Sequence, residues 1–232
     1  MKNKTLVFTA TYNEAGNIEK FLDATLKFKG IDILIIDDNS PDKTWEIIES
    51  FQKSSSNLHL IKRSGKKGLD TAHKNAFQFA KEHSYKNLIT MDADLSHDPD
   101  LIPKFIYELE NRAFVIGSRY MEGGKNDMKL GRYILSFIGN KVIKFVLNID
   151  CEEFTTSYRG FNLSQLEKFD INNVNSKGYS FFMETIFQIN KLGFKIFQLP
   201  IHFKIRKIGV SKIPPIEIFR TLKNFFMLKI KG

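Results

Sequence analysis

One cysteine, Cys151, stands in 232 residues. No intrachain disulfide can form, so the fold must hold by burial and hydrogen bonding, and a lone thiol suits a reducing compartment. Long apolar runs are missing as well. No stretch approaches the roughly 20 apolar residues that span a bilayer. The opening MKNKTLVFTATYNE has too short an apolar run for a secretory signal. A cytoplasmic protein is expected. There is no internal repeat, no zinc-finger spacing and no aromatic RNA-binding signature, which sets nucleic acid aside as a partner. The phosphate-loop pattern GxxxxGK[ST] is absent too, so ATP hydrolysis has no support.

What is present starts with charge. Thirty-five Lys and Arg against 26 Asp and Glu leave a net charge of +9. Such an excess suits anionic lipid, a phosphate-rich small substrate, or plain solubility. A hydrophobic share of 42% fits one domain of ordinary size with a substantial core.

Runs rich in β-branched residues at 5–9 (TLVFT), 31–36 (IDILII), 58–61, 86–91 and 113–117 (AFVIG) read as buried strands. Apolar residues recur between them at helical spacing. Ile18, Phe21, Leu22 and Leu26 form one such face; Ala72, Ala76, Phe77 and Ala80 form another within 71–83. Leu101, Phe105 and Leu109 mark a third within 100–111. This alternation over residues 1–120 predicts an α/β fold, a Rossmann-like, mostly parallel sheet covered by helices on both faces. Ligands of such sheets sit beyond the carboxyl ends of the strands. The polar clusters at 11–14, 37–42, 92–98 and 118–120 fall there.

The second half is less regular. Residues 130–147 and 179–192 are expected to be helical, with Gly193 as a stop signal, and 194–206 extended. Segment 213–232 is amphipathic: Ile216, Phe219, Leu222 and Phe226 share a face, and Arg220, Lys223, Lys229 and Lys231 are basic. It either lies in a membrane interface or packs on the protein's own core.

Residues 89–103 read ITMDADLSHDPDLIP, an apolar run that ends in four aspartates with a histidine among them. If the chain stays extended, Asp92 and Asp94 share one side. Two hard oxygen ligands at that spacing suit Mg²⁺ or Mn²⁺, with waters and substrate phosphates completing the shell. A calcium loop fails, because His97 stands where it needs glycine and Pro103 where it needs glutamate. Asp98 and Asp100 read as acids at the start of the next helix. Asp37 and Asp38 follow a strand directly; an acid there can accept hydrogen bonds from a ribose or base, or cap the SerProAsp turn at 40–42. KRSGKKGLD (62–70) either lies along a diphosphate or is a solvated loop.

TATYNEAGNIE, LIIDDNSPDKT, GKKGLDTA, TMDADLSHDP and IGSRY occur in an order and spacing that resembles the family 2 glycosyltransferases of GT-A fold. GRYILSFIGN, TTSYRGF, GYSFFMETI and PIHFKIRKIGVSKI extend that likeness to the polyprenol-phosphate (dolichol-phosphate) mannosyltransferases. The resemblance implies a catalytic domain over 1–212 and metal-dependent, inverting sugar transfer. It makes GDP-mannose the first donor guess and a polyprenyl monophosphate the acceptor, with peripheral binding at the cytoplasmic membrane face and room for a separate membrane subunit.

By the same resemblance Thr11, Tyr12, Glu14 and Asp38 hold the nucleoside. Asp92 and Asp94 bind Mg²⁺ or Mn²⁺ at the diphosphate, with Ser96 joining through water. Asp94, Arg119 and Glu184 act at the reacting centre, and Arg119, Arg132, Arg206 and Lys212 gather phosphates. His73 and His97 read as supporting or surface residues. The chain departs from the family pattern at Ala10 (usually proline), Asp70 (glycine), Ser96 (glutamine) and Ser157 (glycine). Two other functions stay open: a transferase acting on a sugar acceptor in surface polysaccharide or glycolipid synthesis, and a non-catalytic nucleotide-sugar-binding module.

Overall fold

A computed structural model describes residues 5–205; Arg206, Lys212 and the 213–232 segment lie outside the described residues. The five expected strands form as β1 (Thr5–Thr11), β2 (Ile31–Asp37), β3 (Leu58–Lys62), β4 (Asn87–Thr90) and β5 (Phe114–Ser118). Their side chains alternate between two apolar layers. Leu6, Phe8, Leu34 and Ile36 point to one, and Val7, Ile33 and Ile35 to the other. Both faces are buried, which is why these strands read as continuous apolar runs.

Helices α1 (Ala15–Leu26), α2 (Thr44–Gln52) and α4 (Ile102–Glu108) cover one face; α3 (Leu69–Glu82), α5 (Leu130–Leu147) and α6 (Tyr179–Lys191) cover the other. The α/β layering is therefore as expected. Helix α2 was not foreseen from the sequence. It is nine residues long and buries little beyond Ile48 and Thr44, too short a pattern to stand out.

Four further strands complete the structure: β6 (Lys125–Asn126), β7 (Arg159–Asn162), β8 (Phe197–Pro200) and β9 (His202–Phe203). The main sheet runs β3-β2-β1-β4-β7-β5-β8, and β6 pairs with β9 in a small second sheet. Within the main sheet only β7 runs backward, antiparallel to both β4 and β5. This reversal positions the site. Where β1, β2, β4 and β5 end, β7 begins, so the residues just before Arg159 arrive at the same edge.

Two residues make the reversed strand fit. At Gly160 a Cβ would stand 2.9 Å from Leu109 Cδ1 and 3.1 Å from Phe105 Cδ1, so a larger residue in β7 would push these side chains aside. Arg159 is 1% exposed. It donates from Nε to the Thr156 carbonyl at 2.7 Å, from Nη1 to Phe182 at 2.7 Å and from Nη2 to Phe154 at 2.9 Å. Burial pulls its pKa down to about 9 against the opposing pull of Cys151 and Glu153, so it remains a cation at neutral pH. Arg159→Leu strands three buried carbonyls and is expected to cost about 3 kcal/mol or more, read as a lowered urea midpoint with an unchanged slope.

Candidate active site

At the ends of β1 and β2 the aspartates divide their tasks. Asp37 accepts from Thr11 Oγ1 at 2.7 Å, from the Ser40 N–H at 2.8 Å and from Ser40 Oγ at 2.6 Å. It is the turn cap, and Thr11 serves it. Asp38 is ion-paired with Arg63 through both Nε, at 2.5 Å, and Nη2, and its other oxygen accepts from the Lys67 N–H at 3.2 Å. Arg63 also bonds Thr71 Oγ1 at 2.6 Å and the Gly68 carbonyl at 3.2 Å. The basic, glycine-spaced loop is thus folded back onto Asp38 by Arg63. The sequence reading did not single out that residue. Tyr12 stands alongside, with the Lys66 ammonium 4.7 Å from its ring. Glu14 is buried, accepts from Asn17 Nδ2 at 2.8 Å, and donates its backbone N–H to Thr44 Oγ1 at 2.9 Å. Thr11, Tyr12, Glu14 and Asp38 therefore do gather at one edge.

The aspartates after β4 also differ. Asp94 is 7% exposed. Its Oδ1 accepts from the Ser96 N–H at 3.0 Å and Ser96 Oγ at 2.6 Å, closing a turn whose middle residue, Leu95, has φ 60°. Ser96 is occupied with that turn. The Asp92 side chain is 41% exposed and its Oδ1 accepts from Ser157 Oγ at 2.6 Å. Asp98 caps the following turn through the Asp100 N–H, as expected. Among the described residues no group of three His, Cys, Asp or Glu comes together to hold a metal unaided. Proteins bind Mg²⁺ or Mn²⁺ through one or two carboxylates, with substrate phosphates and water supplying the rest.

His97 is buried beside them. Its Nδ1 accepts the Asp92 N–H at 3.1 Å, so the proton sits on Nε2, 3.2 Å from Thr156 Oγ1. Burial depresses its pKa despite the nearby Asp92 and Asp94. His73 is buried between Phe8, Phe181 and Phe182, and burial, with Arg159 adding, holds its pKa near 3. Neither histidine is a surface residue.

Arg119 follows β5. Its Nε and Nη2 grip the two oxygens of Glu153 at 2.6 and 2.9 Å, and Nη2 also reaches Thr155 Oγ1 at 3.1 Å. Glu153 is wholly buried. Burial raises its pKa, but Arg119 and Thr155 outweigh that and keep it ionised. Burial likewise lowers Arg119, and Glu153 more than offsets it, so the guanidinium ends above its usual value. Glu153 escaped the sequence reading. Its one signal is a cluster of acids, Asp150, Glu152 and Glu153, just ahead of TTSYRGF.

Asp92, Arg119 and Arg132 line one cavity of about 500 Å³, together with Leu69, Leu135, Ile138, Val142 and Phe182. Glu184 is not among its lining residues. Its buried carboxylate accepts the Asn175 N–H at 3.2 Å and the Ser176 N–H at 2.7 Å, holding the loop ahead of α6.

The model of the glycosyl transferase family 2 matches residues 6–169. The chain belongs to that family. Two bacterial relatives are similar over most of its length. The undecaprenyl-phosphate mannosyltransferase of Micrococcus luteus is 31% identical over 215 residues, which cover 90% of this chain and 87% of that protein. The polyprenol monophosphomannose synthase of Mycolicibacterium smegmatis is 32% identical over 233 residues, 99% of this chain and 88% of that one. In structure, the mannosyltransferase of Pyrobaculum calidifontis in complex with GDP-Man and Mn²⁺ superposes over the whole chain with a TM-score of 0.62 at 16% identity. This chain spans 65% of that protein, and the likeness shows a shared fold. The protein is a family 2 glycosyltransferase with the expected architecture.

The neutral histidines give the fold an acid-sensitive limb. His73 binds its proton near pH 3 when folded and near 6.5 when unfolded. The unfolded state therefore takes up more protons in that window, and stability falls as pH drops from 6.5 toward 3. His73→Phe should flatten the limb, read as a smaller loss of melting temperature between pH 6.5 and 4 than in the wild type.

Proposed function

We propose that this glycosyltransferase moves a mannosyl group from GDP-mannose to a polyprenyl monophosphate. The observation that carries the reading is the cavity, which joins Asp92, Arg119 and Arg132 to apolar walls from α5 and Phe182. A lipid phosphate needs that combination: cations for its head and a greasy wall for its first carbons. A sugar acceptor would ask for hydrogen-bonding walls instead. The names of the two bacterial relatives support the same substrate class.

Thr11, Tyr12, Glu14 and Asp38 take the nucleoside, and Asp92 and Asp94 hold Mg²⁺ or Mn²⁺. A divalent ion bound there supplies countercharge for the departing diphosphate. Arg119 presents a guanidinium already fixed in direction, and Arg132 adds a second, more exposed one; planar guanidinium suits phosphate. The acceptor phosphate is ionised near neutral pH, so its oxygen attacks the anomeric carbon without a general base. This agrees with two histidines buried in their neutral forms. As the new C–O bond forms, the bond to GDP breaks on the opposite side, inverting the anomeric centre. Glu184 supports the site through the 175–176 loop, and Arg206 and Lys212 complete the phosphate set. Asp94→Ala should lower transfer by about a hundredfold or more, since metal charge stabilisation is worth several kcal/mol. Radiolabel from GDP-mannose should pass into a chloroform-extractable, mild-acid-labile product; wild-type rates in the variant would refute the assignment.

A membrane-facing surface accompanies this reading. Leu130, Ile134, Leu135, Ile138, Val142 and Phe145 are exposed along α5, Phe145 by 85%. No described helix is long and apolar enough to cross a membrane. A row of this kind instead suits a helix lying in the interface. Replacing Ile134 and Phe145 together by Asp should cut pelleting with anionic liposomes about tenfold or more, at roughly 1.5–3 kcal/mol per buried large side chain. Pelleting equal to wild type would remove α5 from the contact.

A further inference from the structure

Asp92 is gripped twice by adjacent residues of one segment. Its carboxylate accepts from Ser157 Oγ at 2.6 Å. Its backbone N–H donates to His97 Nδ1 at 3.1 Å, and the far nitrogen of that ring meets Thr156 Oγ1 at 3.2 Å. The segment itself is fixed. Thr90 Oγ1 donates to the Ser157 carbonyl at 2.5 Å, and Arg159 bonds the carbonyls of Phe154 and Thr156. Thr90 ends β4, the strand that leads into Asp92. The grip therefore closes a short loop through the sheet, with no long flexible side chain in it.

The two ends of the contact differ in exposure. Ser157 is 6% exposed, whereas the Asp92 side chain is 41% exposed and lines the cavity. A buried hydroxyl holding one oxygen of a half-exposed carboxylate fixes the rotation of that group. A freely turning carboxylate would instead lose that torsional freedom at each capture of a ligand, at an entropic cost. Serine is also an unusual occupant, since glycine is expected at 157 from the family likeness, and glycine has no hydroxyl to offer.

We propose that Ser157 is a positioning residue that sets the Asp92 carboxylate for a divalent cation. This rests on the metal-dependent transfer reading above. Partners that orient a metal-binding side chain typically change affinity by 10–100-fold when removed. The test is a Mn²⁺ titration by electron paramagnetic resonance of the free ion, with GDP present, on wild type, Ser157→Ala and Ser157→Thr. Ser157→Ala should raise the Mn²⁺ Kd about tenfold, while Ser157→Thr, which keeps the hydroxyl, should stay within about threefold of wild type. Melting curves of the three proteins establish that each is folded. Ser157→Ala binding Mn²⁺ as wild type does would overturn the proposal, as would a folded wild type that takes up no Mn²⁺. The titration needs no turnover. Wild type that binds Mn²⁺ but transfers no mannose therefore counts against the transfer reading alone, while the variants still decide the role of Ser157.

Discussion

The site depends on a strand that runs the wrong way. Between β4 and β5, β7 is antiparallel to both, and its first residue, Arg159, is buried with its guanidinium spread over three backbone carbonyls. Placing a cation in an apolar core is costly unless every donor finds a partner. Here the partners lie on the incoming segment and on α6, so the cost of burial is offset only when both are in place. The reversed direction brings residues 153–157 to the edge where the parallel strands end. Without it, Glu153 and Ser157 would lie at the opposite end of the sheet from Arg119 and Asp92.

The electrostatics of the cavity follow from that placement. The chain carries a net charge of +9, yet the cavity is not simply basic. Arg119 is ion-paired with the wholly buried Glu153, and Asp92 and Arg132 line the same cavity. A buried ion pair is weak evidence for stability, because desolvating two ions rivals their attraction. Its use here is directional. With Nε and Nη2 held by Glu153, the guanidinium of Arg119 is fixed in direction at the cavity wall.

Much of the frame was legible in the sequence because it rests on local, periodic signals. The runs IDILII and AFVIG became β2 and β5, and residues 130–147 became α5 with the same bounds. The aspartates at 37, 38, 92 and 94 lay at strand ends as the topology required. Other features were not legible, because they depend on partners far away in sequence. RGFN has no two-residue alternation and is only four residues long, so β7 passed unnoticed. Glu153 meets Arg119 across 34 positions, and Ser157 meets Asp92 across 65. Nothing in either neighbourhood announces the other. The strand-end position did not separate Asp37 from Asp38; the family resemblance assigned Asp38 to the nucleoside, and its pairing with Arg63 appeared only in three dimensions. Arg206 and Lys212 rest on family likeness, since they fall outside the described residues.

Helix α5 forms one wall of the cavity. Its inner side is anchored by few residues, Asn140 and Ile143 being the buried ones. Asn140 donates to the Ser136 carbonyl and accepts the Phe154 N–H at 2.7 Å. Phe154 lies between Glu153 and Thr155, so the helix is fastened directly to the segment that aims Arg119. Tyr120 adds a second tie through Ser136, at 2.7 Å, from the residue next to Arg119. The exposed apolar row of α5 runs from Leu130, Ile134 and Phe145 into Leu135, Ile138 and Val142, which also line the cavity. The α5 wall of the cavity and the guanidinium of Arg119 therefore share one support, the 153–155 segment.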